Sequence, residues 1–184
     1  MDFISITKVL LDETVGALPE VAETASAISG NVIAYIGAAL CAILAGCGSA
    51  LGVMAAGKAA AGVASEKPDL FGKLLVLQAL PGTQGIYGFL TAILVLIQFN
   101  GLGSDAAALT VTQGWQLFFA AVPMAIVGLT SGIAQGKAAV AAIHMTGKQP
   151  DASGKGITMT ALVETYAILA LLISILLIRG VAVG

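Results

Sequence analysis

The sequence predicts an all-α membrane protein whose four transmembrane helices form two duplicated helical hairpins. Three observations carry that prediction. Of the 184 residues, 58% are hydrophobic and 10% are charged, with a mean hydropathy of +1.00. The charges leave long uncharged intervals, and the second half of the chain repeats the first. A soluble domain carries about 25% charged residues, so the polar surface of a water-facing globule is missing and an ordinary cytosolic enzyme is excluded. A net charge of −2 and a pI of about 5.2 offer no basic face to nucleic acid. With 23 glycines and only 5% aromatics, the composition suits helices packed backbone to backbone.

Residues 1–29 read as an N-terminal extension. Asp2 precedes Lys8, and Asp12 and Glu13 follow Leu11, so the basic-then-apolar order of a secretory signal is absent. The expectation is an amphipathic segment on the outer face. Residues 30–99 form the first hairpin. No Asp, Glu, Lys or Arg occurs in residues 24–57, well beyond the roughly 20 residues a helix needs to cross a bilayer. Ser65-Glu66-Lys67-Pro68-Asp69 is a polar turn, and the uncharged interval 74–104 holds the return helix. Cys41 and Cys47 both fall in the first span and read as small packing residues rather than a disulfide framework.

Residues 100–109 form a glycine-rich outer loop, and residues 110–184 form the second hairpin. Its first helix lies in the uncharged interval 106–136, its tip is Gly147-Lys148-Gln149-Pro150-Asp151, and its return helix runs over Gly156–Ile178. Trp115, near the start of the third span, suits the aromatic belt, and His144 a solvated tip. Six basic residues (Lys58, Lys67, Lys73, Lys137, Lys148, Lys155) flank the two polar turns, whereas the loop around Asp105 has none. Basic residues favour cytoplasmic loops. Both tips are therefore expected in the cytoplasm and both termini outside, with Arg179 snorkelling at the end of the fourth helix.

The duplication is visible residue by residue. Gly57-Lys58-Ala59-Ala60 recurs as Gly136-Lys137-Ala138-Ala139, an offset of 79. Past the first tip the offset becomes 82, pairing Pro68-Asp69 with Pro150-Asp151, Gly72-Lys73 with Gly154-Lys155 and Ala79-Leu80 with Ala161-Leu162. The second tip is three residues longer. Small residues recur at helical spacing as Gly48, Gly52 and Ala56, then Gly128, Gly132 and Gly136. Such stripes let helix backbones approach closely in lipid.

One charge is out of place. Glu164 lies inside the fourth span with no basic residue near it in sequence, and an acidic side chain at bilayer depth costs several kcal/mol unless it is neutralised. The 82-residue offset pairs it with Gly82, so the first hairpin has no equivalent carboxylate. Instead Leu80, Thr83, Gln84 and Tyr87, spaced i, i+3, i+4, i+7, share one side of the second helix. Pro81 removes an amide donor to the Leu77 carbonyl and loosens the local backbone. Gln135 adds a carboxamide from the third helix. One carboxylate, two carboxamides, a hydroxyl and a backbone carbonyl suit a monovalent cation better than Zn²⁺ or Ca²⁺. Taken singly, Thr83, Gln84 and Gln135 also fit interhelical hydrogen bonds worth about 1 kcal/mol each.

Leu80-Pro81-Gly82-Thr83-Gln84-Gly85-Ile86-Tyr87-Gly88, Gly132-Ile133-Ala134-Gln135-Gly136 and Leu162-Val163-Glu164-Thr165 together resemble the duplicated proteolipid (the K or c chain) of V/A-type rotary ATPases, particularly the sodium-translocating bacterial type. The resemblance covers about residues 30 to 180. It implies a ring of identical copies in which Na⁺ is held by the Leu80 carbonyl, Thr83, Gln84, Gln135 and Glu164, with Tyr87 hydrogen-bonded to the glutamate. It also implies a stator membrane protein bearing an arginine, central-stalk subunits at the cytoplasmic tips, and ATP chemistry in a separate soluble head. The chain itself has no P-loop and is expected to be a non-catalytic, multi-pass subunit of a bacterial cell membrane.

Two other readings stand beside it. A proton-carrying rotor needs only a carboxylate in an apolar pocket, which leaves the three polar neighbours without a task. A passive pore or structural oligomer explains the glycine stripes but not a carboxylate ringed by oxygen donors. Copurification with stalk and stator subunits separates rotor from pore.

Overall fold

A computed structural model describes residues 29–183; the expected amphipathic segment near the N-terminus lies outside them. Within the described residues, four helical spans fold as two hairpins side by side, each span long and apolar enough to cross a membrane. In the first hairpin, α1 (Gly30–Glu66) is followed by a 3₁₀ turn, Pro68–Leu70, and a return leg split into α2 (Phe71–Ala79) and α3 (Thr83–Gln98). In the second, α4 (Val111–Lys148) is followed by Pro150–Ala152 and a return leg split into α5 (Ser153–Ala161) and α6 (Glu164–Gly180). At 1.5 Å per residue, α1 and α4 are each about 55 Å long, well beyond the ~30 Å of a hydrocarbon core.

The long helices start where their sequences supply caps. The Ser29 hydroxyl accepts from the Val32 amide, and Thr110 forms a reciprocal capping box with Gln113. Pro123 sits inside α4 without ending it. The adjoining Met124 amide reaches the Ser174 hydroxyl of α6 at 3.3 Å, one of the side-chain contacts by which a membrane helix tolerates proline.

α1 packs chiefly on α4, while α3 lies on α1 and α6 on α4. The long-helix contact is made by backbone. A Cβ on Gly48 or Gly52 would strike the α4 backbone at Gly128–Leu129 or Gly132, and one on Gly132 or Gly136 would strike α1 at Gly48 or Gly52. Without side chains between them the two helices touch directly. Cys41 is buried in this core, but Cys47 is exposed on the chain's surface, so the packing role expected of both holds within the chain for Cys41 alone. The exposed faces carry Ile86, Phe89, Leu169, Leu172 and Leu176, as befits a protein whose outside is lipid or other membrane chains.

Between the hairpins, residues 99–110 fold back on the helix ends. Asn100 takes the left-handed conformation at φ 54°, which asparagine tolerates better than most residues. The Asn31 side chain donates to the Ala107 carbonyl and accepts from the Leu109 amide, both at 2.9 Å. At the opposite end, Lys67 donates to the Gly147 carbonyl and Lys73 to that of Pro150, so basic residues of the first tip fasten the second.

Among the described residues, the buried apolar side chains form two separate clusters. One contains Cys41, Val95, Phe99, Leu117, Met124 and Ile178; the other contains Leu70, Leu74, Leu77 and Ile143 near the tips. Between them lie both breaks in the return legs and a layer of buried polar side chains.

Candidate ion site

The breaks position the polar layer. Pro81 cannot donate to the helical ladder, and Leu80–Gly82 tighten into a 3₁₀ turn. Thr83, opening α3, donates its hydroxyl to the Leu80 carbonyl at 3.1 Å. Gly85 gives its amide proton to the Ser49 hydroxyl of α1 at 2.7 Å. In the second hairpin the chain breaks at Leu162–Val163, the positions paired with Leu80–Pro81, although no proline stands there. Glu164 opens α6 directly after this break.

Gln84 and Gln135 are both 0% exposed. The Gln84 amide nitrogen donates to the Gln135 carboxamide oxygen and to the Ser131 hydroxyl. The Gln135 amide nitrogen donates to the Thr160 carbonyl at 3.2 Å, and the Ser131 hydroxyl lies 3.3 Å from the Val163 carbonyl. Two side-chain oxygens in this layer, Gln84 Oε1 and Thr160 Oγ1, are buried without a partner among the described residues. An unsatisfied buried polar group costs about 1–3 kcal/mol, and a cation is one partner that removes the cost at a carbonyl-type oxygen.

Glu164 is half-buried, and its Oε1 accepts from the Tyr87 hydroxyl at 2.5 Å. It hydrogen-bonds this phenol rather than either glutamine. The sequence-derived residues therefore meet as three local pairs, Leu80 with Thr83, Gln84 with Gln135, and Tyr87 with Glu164. No three of His, Cys, Asp and Glu come together among the described residues. His144 and Arg179 are exposed. An apolar groove lined by Trp115, Phe119, Leu176 and Leu177 lies at the loop end of the bundle, away from the polar layer.

Sequence reasoning missed Ser49, Ser131 and Thr160. The duplication does not single out the first two, because the offset of 79 read before the tips pairs Ser49 with Gly128; only the structure shows both hydroxyls bonding beside a break.

Fold and site together define a duplicated membrane proteolipid, with two helical hairpins enclosing a polar layer inside an apolar bundle. The family of the ATP synthase C subunit matches the chain twice, over residues 36–95 and 118–177, and the chain belongs to that family, whose members are ion-translocating rotor subunits rather than catalytic chains. It is 48% identical over 149 residues to the V-type sodium ATPase subunit K of Enterococcus hirae, covering 81% of this chain and 92% of the relative. It is 41% identical over 153 residues to the A-type ATP synthase subunit K of Methanocaldococcus jannaschii, covering 83% of this chain and 64% of that relative.

Proposed function

We propose that this chain is the rotor subunit of a sodium-translocating V/A-type ATPase, carrying Na⁺ on Glu164 while a separate soluble head handles ATP. The observation that carries the reading is the unpaired oxygen of fully buried Gln84, in the same polar layer as the single carboxylate. Na⁺ is the cargo, with the Leu80 carbonyl, Thr83, Gln84 and Gln135 as its neutral oxygen ligands and Glu164 as its charge. Such hard, mostly neutral donors match a monovalent ion. The sodium ATPase of the Enterococcus hirae relative supports the same choice.

The mechanism follows from the energetics of charge in lipid. Bare Glu164 carried past lipid would cost several kcal/mol; with Na⁺ bound, its charge is cancelled and Tyr87 holds the carboxylate in place. In the assembled ring a neighbouring copy covers the half-exposed glutamate. At the stator, an arginine of the stator protein competes for the carboxylate and releases the ion into an aqueous path. The lysine-rich tips lie in the cytoplasm against the central stalk, with both termini outside, and rotation passes through them. Residues 30–99 and 110–184 are the two hairpins of this rotor unit, joined by 100–109.

Carbodiimide labelling of Glu164 in intact complex tests the reading. Na⁺ should slow labelling at each pH, and more Na⁺ should be needed as pH falls because protons compete for the carboxylate. Labelling indifferent to Na⁺ would overturn the sodium reading in favour of a proton rotor.

A further inference from the structure

We infer that Ser131 is a positioning residue that fixes which end of the Gln84 carboxamide faces the ion. The inference rests on the sodium reading above and extends it to a residue outside the proposed ligand set. Ser131 is 7% exposed, on the α4 face between Gly128 and Gln135. A serine hydroxyl has one proton. Here it is directed to the Val163 carbonyl, so toward Gln84 the oxygen is left only as an acceptor.

A carboxamide is nearly symmetric in shape, and its partners decide its orientation. Ser131 accepts on one side. On the other, Gln135 has committed its amide nitrogen to the Thr160 carbonyl and therefore presents its oxygen. Both protons of the Gln84 amide nitrogen are thus used, and its oxygen is left free and buried. The opposite orientation would put that oxygen against the Gln135 oxygen and turn an NH₂ group toward a cation. Ser131 also touches the backbone one residue before Glu164, which ties a ligand of the first hairpin to the carboxylate of the second.

The test is Na⁺ protection of Glu164 against carbodiimide in intact complex, comparing wild type with Ser131→Ala, Ser131→Thr and Ser131→Cys. Ser131→Ala should raise the Na⁺ concentration for half-protection about tenfold, as expected for loss of one buried hydrogen bond to an orienting group. Its labelling rate without Na⁺ should stay within about twofold of wild type, because Tyr87 still holds the carboxylate. Ser131→Thr keeps the hydroxyl and should restore protection, whereas Ser131→Cys, a weak donor and acceptor, should not. If Ser131→Ala fails to assemble, the threonine and cysteine variants decide alone. Equal protection in every assembled variant, with wild type protected by Na⁺, would overturn the role of Ser131 and leave the sodium reading intact. Wild type unprotected by Na⁺ would overturn the sodium reading and this inference with it.

Discussion

The Tyr87 hydroxyl donates to Glu164 Oε1 across the interface between α3 and α6, so the carboxylate of one hairpin is oriented by a phenol of the other. A hydrogen bond to a charged group contributes about 1.5–3 kcal/mol when shielded from water, and less at a half-exposed group. Tyr87→Phe should therefore weaken Na⁺ binding by about tenfold while rings still assemble. Half-protection measurements with Na⁺ check this; an unshifted curve would mean the phenol does not hold the site.

Glu164→Gln removes the charge that the ion compensates. ATP-driven ²²Na⁺ uptake into vesicles should fall to background while the complex remains intact on gel filtration. Residual uptake above a few per cent of wild type would place the carrying group elsewhere.

Gln84→Ala and Gln135→Ala each delete a neutral oxygen and open a cavity among buried side chains. Both should raise the Na⁺ requirement about 10- to 100-fold, the combined effect of a lost ligand and a lost interhelical hydrogen bond. Ring yield should fall by less than half. Ring loss with unchanged affinity in the survivors would assign both residues to packing.

Gly52→Leu and Gly132→Leu place a side chain where α1 and α4 touch through backbone. Overpacking usually costs about 1–3 kcal/mol, and here the obstacle is main chain that cannot rotate away. Both variants should lose most of the detergent-stable ring in thermal stability measurements. A ring that melts within about 2 °C of wild type would show that the helices can separate at no cost.

The sequence made some features legible because they depend on composition along the chain. Uncharged intervals around Lys58 and Asp105 set four spans, and Pro81 marked the break before Gln84. The break at Leu162–Val163 carries no such mark. It emerges where the second hairpin packs like the first, and it is what puts Glu164 at the start of a helix. Ser131 was hidden for a different reason: a lone serine in a Gly/Ala helix reads as small filler, and its role depends on what α3 and the Leu162–Val163 break turn toward it.

By itself the sequence determined the membrane class, the duplication and the isolation of one carboxylate, since each follows from residue spacing and the high cost of charge in lipid. Tertiary structure alone decided how the polar residues pair. Hydrogen bonds are directional and a side chain's protons are few, so only the packed arrangement of α3, α4, α5 and the Leu162–Val163 break fixes that Gln84 spends both amide protons on Ser131 and Gln135 and leaves its oxygen free.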